Sequence, residues 1–245
     1  MSQSIANIAA VRVPSVVEGG AGESAGERQR LFTIRAASSE GQRSSANILV
    51  NRMYAWRGYC TSPRAAAADA KQVTLLALDG GETVGTLSVG LDGPGGLFVD
   101  ELFPDELGAL RKQGRAICEF TKLAVDDVTC SRHVLASLFH VAYMHAHRLG
   151  GADDVLIEVN PRHVRYYQRT LGFETLGPAR LNRRVNAPAI LMALRFLHAR
   201  EEIARLAGRG APSKAERSLY PFFFSPEEES GILGRLSDRG SFPER

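Results

Sequence analysis

The sequence is poor in cysteine. Its three cysteines, Cys60, Cys118 and Cys130, match neither the spacing of a disulfide framework nor that of a zinc site. A chain of 245 residues buries a hydrophobic core without such cross-links. A disulfide scaffold and a cysteine-based zinc centre are therefore excluded.

Long apolar runs and a strong charge of one sign are also missing. No window approaches the roughly 20 apolar residues of a membrane-spanning helix, and the N-terminal stretch lacks the features of a secretory signal. We therefore expect a cytoplasmic protein. The net charge of +3 is too small to indicate nucleic-acid binding. The six histidines form no helical zinc pattern, so we expect no metal.

Composition divides the chain into three parts. Residues 1–30 are rich in Gly, Ala, Ser and Glu without periodicity, which is typical of a flexible leader. Residues 31–197 alternate between strand-like and helical patterns and form the predicted core domain. Residues 198–245 are a C-terminal extension with an amphipathic stretch and three consecutive phenylalanines. We expect these aromatics to pack back onto the core, because solvated aromatics promote aggregation.

Strand and helix patterns alternate along the core. The segment 79–81, Asp-Gly-Gly, predicts a hairpin between two of the strands. The order of the elements predicts a mixed α/β sheet with helices on both faces. We predict strands at 31–36, 73–78, 83–91, 116–125, 155–159 and 189–197, and helices at 39–59, 103–113, 131–149 and 161–170.

Two charged residues, Glu119 and Lys122, lie within the strand predicted at residues 116–125. Charged side chains inside a central strand often belong to a functional site. Residues three apart face opposite sides of a regular strand, so a shared role requires a β-bulge or a splay there. The structural alternative is a carboxylate that pairs with Lys122 or faces solvent.

Five linked segments resemble a known family. Residues 160–173 (NPRHVRYYQRTLGF) follow an apolar strand and resemble the closing motif of the GNAT acyltransferase superfamily. The other four resemble the FeeM-like N-acyl amino acid synthases, which are related to the acyl-homoserine-lactone synthases. They are RMYAWRGY (52–59), LFPDE (102–106), CEFTKLAV (118–125) and VNAPAIL (185–191).

The resemblance implies both a fold and an activity. The implied fold is a GNAT-like mixed, mostly antiparallel central sheet flanked by helices, with two central strands that diverge to admit an acyl thioester. The implied reaction moves a long-chain acyl group to the α-amino group of an amino acid. The alternatives are an acyl-homoserine-lactone synthase, an acetyl-CoA-dependent acetyltransferase and an inert GNAT-like module that binds lipid or a carrier protein.

The segment at residues 125–133 departs from the usual GNAT pattern. GNAT enzymes that use coenzyme A have a glycine-rich loop there, whose backbone amides hold the pyrophosphate. This chain has two aspartates and no glycine, and like charge opposes a pyrophosphate. We therefore expect no bound cofactor and a donor carried on the phosphopantetheine of an acyl carrier protein.

The resemblance and the chemistry of acyl transfer together predict the catalytic groups. Glu119 is the expected general base for the incoming ammonium, and Tyr167 the expected acid for the departing thiolate. For Tyr167 the alternative is core packing. The backbone amides of Leu123, Ala124 and Val125 are the predicted donors to the oxyanion.

Further residues have predicted binding roles. Lys122 and Arg52 are candidates to hold the amino-acid carboxylate, with a structural ion pair as the alternative. Trp56, Phe120 and Phe139 are candidates for the wall of an acyl-chain tunnel, with plain core packing as the alternative. For the aromatic tail three roles stay open: closing the tunnel, contacting a membrane surface, or capping the core.

Basic residues suggest a docking surface for an acidic carrier protein. In a GNAT-like fold they would flank the thioester entrance and steer the carrier electrostatically. A generic solvated helix face is the alternative. The predicted docking residues are Arg132, Arg162, Arg165 and Arg169.

Overall fold

A computed structural model of the chain describes residues 9–14, 29–56, 58, 72–126, 132–210 and 217–238. The strands are β1 (Ala9–Pro14), β2 (Gln29–Ala36), β3 (Gln72–Asp79), β4 (Glu82–Leu91), β5 (Ile117–Val125), β6 (Asp154–Val159), β7 (Glu174–Thr175), β8 (Arg180–Asn182) and β9 (Ala187–Arg195). The α-helices are α1 (Glu40–Trp56), α2 (Pro104–Lys112), α3 (Arg132–Tyr143), α4 (Val164–Leu171), α5 (Phe196–Leu206) and α6 (Pro226–Ser237). A π-helical stretch, Met144–Leu149, continues α3, and 3-10 turns lie at Phe98–Glu101, Pro161–His163 and Tyr220–Phe222.

The described strands form one nine-stranded sheet in the order β1-β2-β3-β4-β5-β6-β9-β7, with β8 paired to β9. All neighbouring pairs are antiparallel except β5 and β6, which are parallel. The predicted hairpin joins β3 to β4. The predicted mixed, mostly antiparallel sheet flanked by helices is therefore confirmed.

The two faces of the sheet differ in chemistry. Directly opposed residues of antiparallel strands point to the same side, so the register of β4 and β5 places Thr86, Ser88 and Glu119 on one face. We call this the front face. It is covered by α1, whose Leu49 clusters with Ala124, and by α2 with the 3-10 turn before it. The opposite, back face is apolar and packs against α3 and α5.

The parallel strands β5 and β6 separate after a short stretch of pairing. They pair from Ile117 opposite Asp154 to Glu119 opposite Leu156. From Phe120 onward β5 pairs only with β4, while β6 continues only against β9. A wedge therefore opens between the C-terminal ends of β5 and β6, as predicted for diverging central strands.

A β-bulge lies in β5 beside this wedge. Thr86 opposes Ala124 whereas Ser88 opposes Thr121, so β5 has one extra residue here. Lys122 has a φ of 54°, which is uncommon for a residue other than glycine. The bulge brings the Lys122 side chain to the front face, where Nζ lies 3.5 Å from Asn47 Oδ1 of α1. Glu119 and Lys122 therefore share a face despite their spacing.

The C-terminal extension is built onto the back face. Its α5 continues directly from β9, and Tyr220, Phe223 and Phe224 are buried in the main core cluster. Phe222 packs against the same cluster while partly exposed. The expectation that these aromatics pack back onto the core is confirmed.

One part of the expected domain plan differs in the structure. Residues 9–14 form β1, which pairs with β2, whereas the sequence suggested a leader without regular structure. The rest of the leader up to residue 28 lies outside the described residues, as do residues 239–245 of the extension. No helix in the described part of the chain is long and apolar enough to cross a membrane.

Candidate active site

Glu119 lies on the front face at the point where β5 and β6 part. Its side chain is buried, and its two carboxylate oxygens accept hydrogen bonds from the backbone amides of Phe98 and Val99, at 3.0 and 3.1 Å. Burial raises the pKa of the Glu119 carboxyl to about 7, and the two amides offset this only in part. A carboxyl that titrates near neutral pH is suited to accept and release a proton. The Glu119 carboxylate therefore forms no ion pair with Lys122 in the described part of the chain, and it does not face solvent.

Space for Glu119 is provided by a glycine in the neighbouring strand. Gly90 lies directly opposite Glu119, and a Cβ atom at Gly90 would stand 3.3 Å from Glu119 Cγ. A side chain at position 90 would therefore crowd the Glu119 side chain, which would have to shift by a few tenths of an ångström. The glycine is therefore part of what positions Glu119.

Arg111 of α2 holds the 3-10 turn that contacts Glu119. Its guanidinium bonds both Asp92, at 2.7 Å, and Asp100, at 2.6 Å. The Asp100 side chain in turn accepts from the Leu97 amide at 2.7 Å, and its bonds to Arg111 lower the pKa of its carboxyl. This network orients the adjacent Phe98 and Val99 amides toward Glu119.

Unsatisfied hydroxyls lie near Glu119 on the front face. The Oγ1 atoms of Thr86 and Thr121 are buried and have no hydrogen-bond partner among the described residues. Ser88 of β4 lies opposite Thr121, and its Oγ forms a hydrogen bond with Thr74 Oγ1 at 2.9 Å. Buried hydroxyls without a partner destabilise a fold, so native proteins rarely retain them without a ligand or water to bond. The front face therefore offers polar groups to a ligand.

The two predicted carboxylate-binding residues lie on this side of the sheet. The Lys122 ammonium is partly buried, and burial lowers its pKa. Arg52 of α1 is already paired with Asp126, at 2.7 Å. Of the two, Lys122 is the better placed for an added carboxylate, since its described partner is the neutral Asn47 side chain.

A second, partly buried carboxylate near Glu119 was missed by the sequence reasoning. Glu158, in β6, is on the same face and forms two hydrogen bonds with Arg184, at 2.7 and 2.8 Å. Asn182 also donates to Glu158, and Arg184 donates to the Phe98 carbonyl at 3.2 Å. The signal available in the sequence was one charged residue in an otherwise apolar strand, followed later by two arginines.

The back face at the wedge contains a small aromatic cavity. Its volume is about 20 Å³, and its lining includes Phe120 and Phe139, the two candidates for an acyl-chain wall. The two rings lie 6.2 Å apart between centroids. Trp56 is not there: it ends α1 on the front side of the sheet with 73% of its surface exposed. The expectation that Trp56 lines the same tunnel is corrected accordingly, because helical spacing alone did not show which face the residue takes.

Tyr167 lies on α4, on the back side of the sheet. Its ring contacts Phe139 and Phe173, with centroids 6.4 and 5.9 Å apart, and it is partly exposed. Glu119 and Tyr167 are therefore on opposite sides of β5. The predicted oxyanion donors, Leu123 to Val125, lie further along β5 than Glu119, on the part that has no pairing with β6.

The predicted docking arginines are all exposed. Because β5 and β6 are parallel, the helices that follow them start at the same edge of the sheet, where the wedge opens. Arg132 begins α3 at this edge, and Arg162 and Arg165 lie at the start of the α4 region. Arg169 is one turn further along α4. Residues 127–131, in the segment without glycine, lie outside the described residues.

Comparisons with known proteins agree with this geometry. Residues 45–195 match a family model described as N-acyl amino acid synthase FeeM. The solved structure of FeeM, an N-acyl amino acid synthase from uncultured soil microbes, is 28% identical with a TM-score of 0.64, over 69% of this chain and 93% of that one. No curated protein matches the chain at a significant level.

More distant solved structures are also similar. A putative N-acetyltransferase from Lactobacillus plantarum is 15% identical, with a TM-score of 0.49 over 67% of this chain and 97% of that one. The AHL synthase LasI is 12% identical, with a TM-score of 0.47 over 66% of this chain and 88% of that one. The resemblance to the FeeM-like synthases that was read from the motifs is confirmed by the family model and by the FeeM structure.

Proposed function

Because the chain belongs to the FeeM family of N-acyl amino acid synthases and has the fold of an N-acyltransferase, we propose that it transfers a long-chain acyl group from acyl carrier protein to the α-amino group of an amino acid. The acyl chain then lies on the back face and the amino acid on the front face. The two substrates meet in the wedge between β5 and β6.

The observation that carries this proposal is the chemical contrast across the wedge. On the back face the cavity at Phe120 is lined by apolar and aromatic side chains. On the front face are the Glu119 carboxylate, two hydroxyls without a partner among the described residues, and the Lys122 ammonium. An N-acyl amino acid has the same contrast, with an apolar chain at one end and a carboxylate at the other.

Glu119 supplies the base in this scheme. The incoming α-amino group has a pKa of roughly 8 and arrives mainly as an ammonium at neutral pH. A carboxylate with a pKa of about 7 is close enough to take its proton, directly or through one water. The neutral amine then attacks the thioester carbonyl carbon, forming the C–N bond.

The developing negative charge and the leaving group are handled on the other side of β5. Backbone amides at Leu123 to Val125 donate to the tetrahedral oxyanion. The C–S bond then breaks as the attacking nitrogen releases its second proton to water, and the thiolate takes a proton from water or from Tyr167, which is then reprotonated from solvent. Because thiolate is a good leaving group, loss of Tyr167 slows this step without abolishing it.

The choice of a carrier-protein donor rests on charge. Arg132, Arg162 and Arg165 are exposed at the edge where the wedge opens, and an acidic carrier protein would be attracted there. The segment after β5 contains two aspartates and no glycine, which disfavours a free pyrophosphate. Both features favour phosphopantetheine attached to protein over coenzyme A.

A competition experiment tests the proposal. The protein is incubated with palmitoyl-carrier protein or palmitoyl-CoA, a pool of amino acids and S-adenosylmethionine, and the products are read by mass spectrometry. We expect N-palmitoyl amino acids, formed faster from the carrier-linked donor. A homoserine lactone as the product, or equal use of palmitoyl-CoA, would contradict the proposal. Product formation is compared between Glu119→Gln and a matched control, Glu82→Gln, at an exposed position of β4. A loss of product in Glu119→Gln alone assigns the reaction to this site.

A further inference from the structure

Residues 219–224 (LYPFFF), which we call the aromatic segment, form one wall of the back-face cavity. The segment lies beyond residues 45–195, the part that matches the family model. The Leu219 amide donates to the Thr170 carbonyl at 2.9 Å, and the Tyr220 hydroxyl donates to the Leu171 carbonyl at 2.8 Å. Both acceptors are at the end of α4, so the segment is attached to the helix that carries Tyr167.

The other end of the aromatic segment is fastened to α3. The Phe224 amide donates to Nδ1 of His140 at 3.1 Å, and the His140 ring stacks on Phe223 with centroids 4.7 Å apart. His140 is fully buried, and this burial lowers its pKa, which favours the neutral ring that accepts such a bond. Just beyond the segment, Glu229 of α6 pairs with Arg148 at 2.7 Å. The aromatic segment is therefore a fixed wall and not a loose tail.

The cavity extends from the wedge toward this wall. At one side it is lined by Phe120, the first residue of β5 beyond its pairing with β6. On the side of the extension it is lined by Tyr220 and Phe223, whereas Phe222 is not part of the lining. Phe222 instead contacts His133, with ring centroids 4.8 Å apart.

The size of the cavity bears on its occupant. A volume of about 20 Å³ is comparable to the space of a single water molecule, but the lining is apolar and gives water no partner. A straight hydrocarbon chain fits the chemistry of such a lining, and only its last carbons fit the size. Each methylene buried there strengthens binding by roughly fourfold.

We propose that the aromatic segment closes the acyl-chain site and that Tyr220 and Phe223 set the longest acyl chain that the protein accepts. This proposal rests on the proposed function, since it takes the occupant of the cavity to be the acyl chain of the donor. The ligand class is a straight-chain acyl thioester. The C-terminal extension thereby has a role in acyl-chain-length specificity.

Chain-length profiles of matched variants test the proposal. Phe223→Ala removes the wall, Phe223→Trp thickens it, and Phe222→Ala removes an equal side chain that lies outside the cavity. For each variant, the rate of acyl transfer is measured with acyl carrier protein loaded with straight acyl chains of increasing length. Phe223→Ala is expected to favour chains longer by about two carbons, with a rise in the long-to-short rate ratio of roughly tenfold or more. Phe223→Trp is expected to shift the profile to shorter chains, and Phe222→Ala to leave it unchanged.

A binding measurement separates this inference from the proposed function. Calorimetry with a series of S-alkyl pantetheines, which cannot transfer an acyl group, gives a chain-length profile even if no donor is turned over. Phe223→Leu follows the same direction as Phe223→Ala with less loss of core packing, in case the alanine variant fails to fold. Identical profiles for the wild type and the Phe223 variants would overturn the inference, as would an equal shift in Phe222→Ala.

Discussion

Glu119 has a proton-linked signature that distinguishes it from an ordinary surface carboxylate. Burial raises its pKa from 4.5 in the unfolded chain to about 7 in the folded one. The folded state therefore binds a proton more tightly than the unfolded state does. The stability due to this proton is fully present below the unfolded pKa of 4.5, and it is lost as pH rises through about 7.

The size of this effect follows from the pKa difference. One pKa unit corresponds to about 1.4 kcal/mol, so the Glu119 carboxyl lowers the free energy of unfolding by about 3 kcal/mol between acid and neutral pH. Glu119→Gln has no such titration, and its free energy of unfolding is expected to fall less over this range. The variant loses one of the two amide bonds, from Phe98 or Val99, because an uncharged amide has only one acceptor oxygen.

Urea unfolding of both proteins between pH 4.5 and pH 8 measures the difference. The rate of acyl transfer is measured over the same range: in the wild type it should rise with pH and level off above about 7, because the base must be ionised. Glu82→Gln, at an exposed position of β4, serves as the control and should follow the wild type. If the free energy of unfolding changed with pH equally in the wild type and in Glu119→Gln, the raised pKa of Glu119 would be refuted. An unchanged turnover in Glu119→Gln would refute its role as a base.

Three further predictions concern groups around the wedge. Tyr167→Phe should lower turnover by roughly tenfold or more with little change in stability, and an unchanged rate would remove Tyr167 as the acid. Reversing charge at Arg162 and Arg165 should raise KM for the carrier-linked donor but not for an acyl-pantetheine, and equal effects on both would rule out docking. Thr86→Val should raise the free energy of unfolding by about 1 kcal/mol while raising KM for the amino acid, because it removes a buried hydroxyl that has no partner in the described part of the chain. An unchanged KM would leave the hydroxyl without a substrate role.

Local patterns were enough to predict most of the central elements. The strand at 116–125 and the hairpin at 79–81 appear in the structure within about two residues of their predicted ends. A shared role for Glu119 and Lys122 required a bulge or a splay in this strand, and the structure has a bulge with Lys122 in the left-handed region.

Long-range contacts were much harder to anticipate. Glu158 and Arg184 form their pair across 26 positions of sequence, and nothing local to either residue identifies the other. The amides that hold Glu119 belong to a 3-10 turn about 20 residues away, which has no strong periodicity of its own. Trp56 has helical spacing with buried neighbours, yet it lies at the exposed end of α1. Periodicity defines a helix face but not what covers it.

A crystal structure with a bound N-acyl amino acid tests most directly whether the acyl chain and the amino acid bind on opposite faces of the sheet. This single molecule contains both the acyl chain of the donor and the amino acid. We expect its acyl chain against Phe120 and Phe139 on the back face, its amide carbonyl beside Leu123 to Val125, and its carboxylate on the front face within reach of Lys122. A product bound with both ends on one face, or outside the wedge between β5 and β6, would contradict the proposed two-sided site.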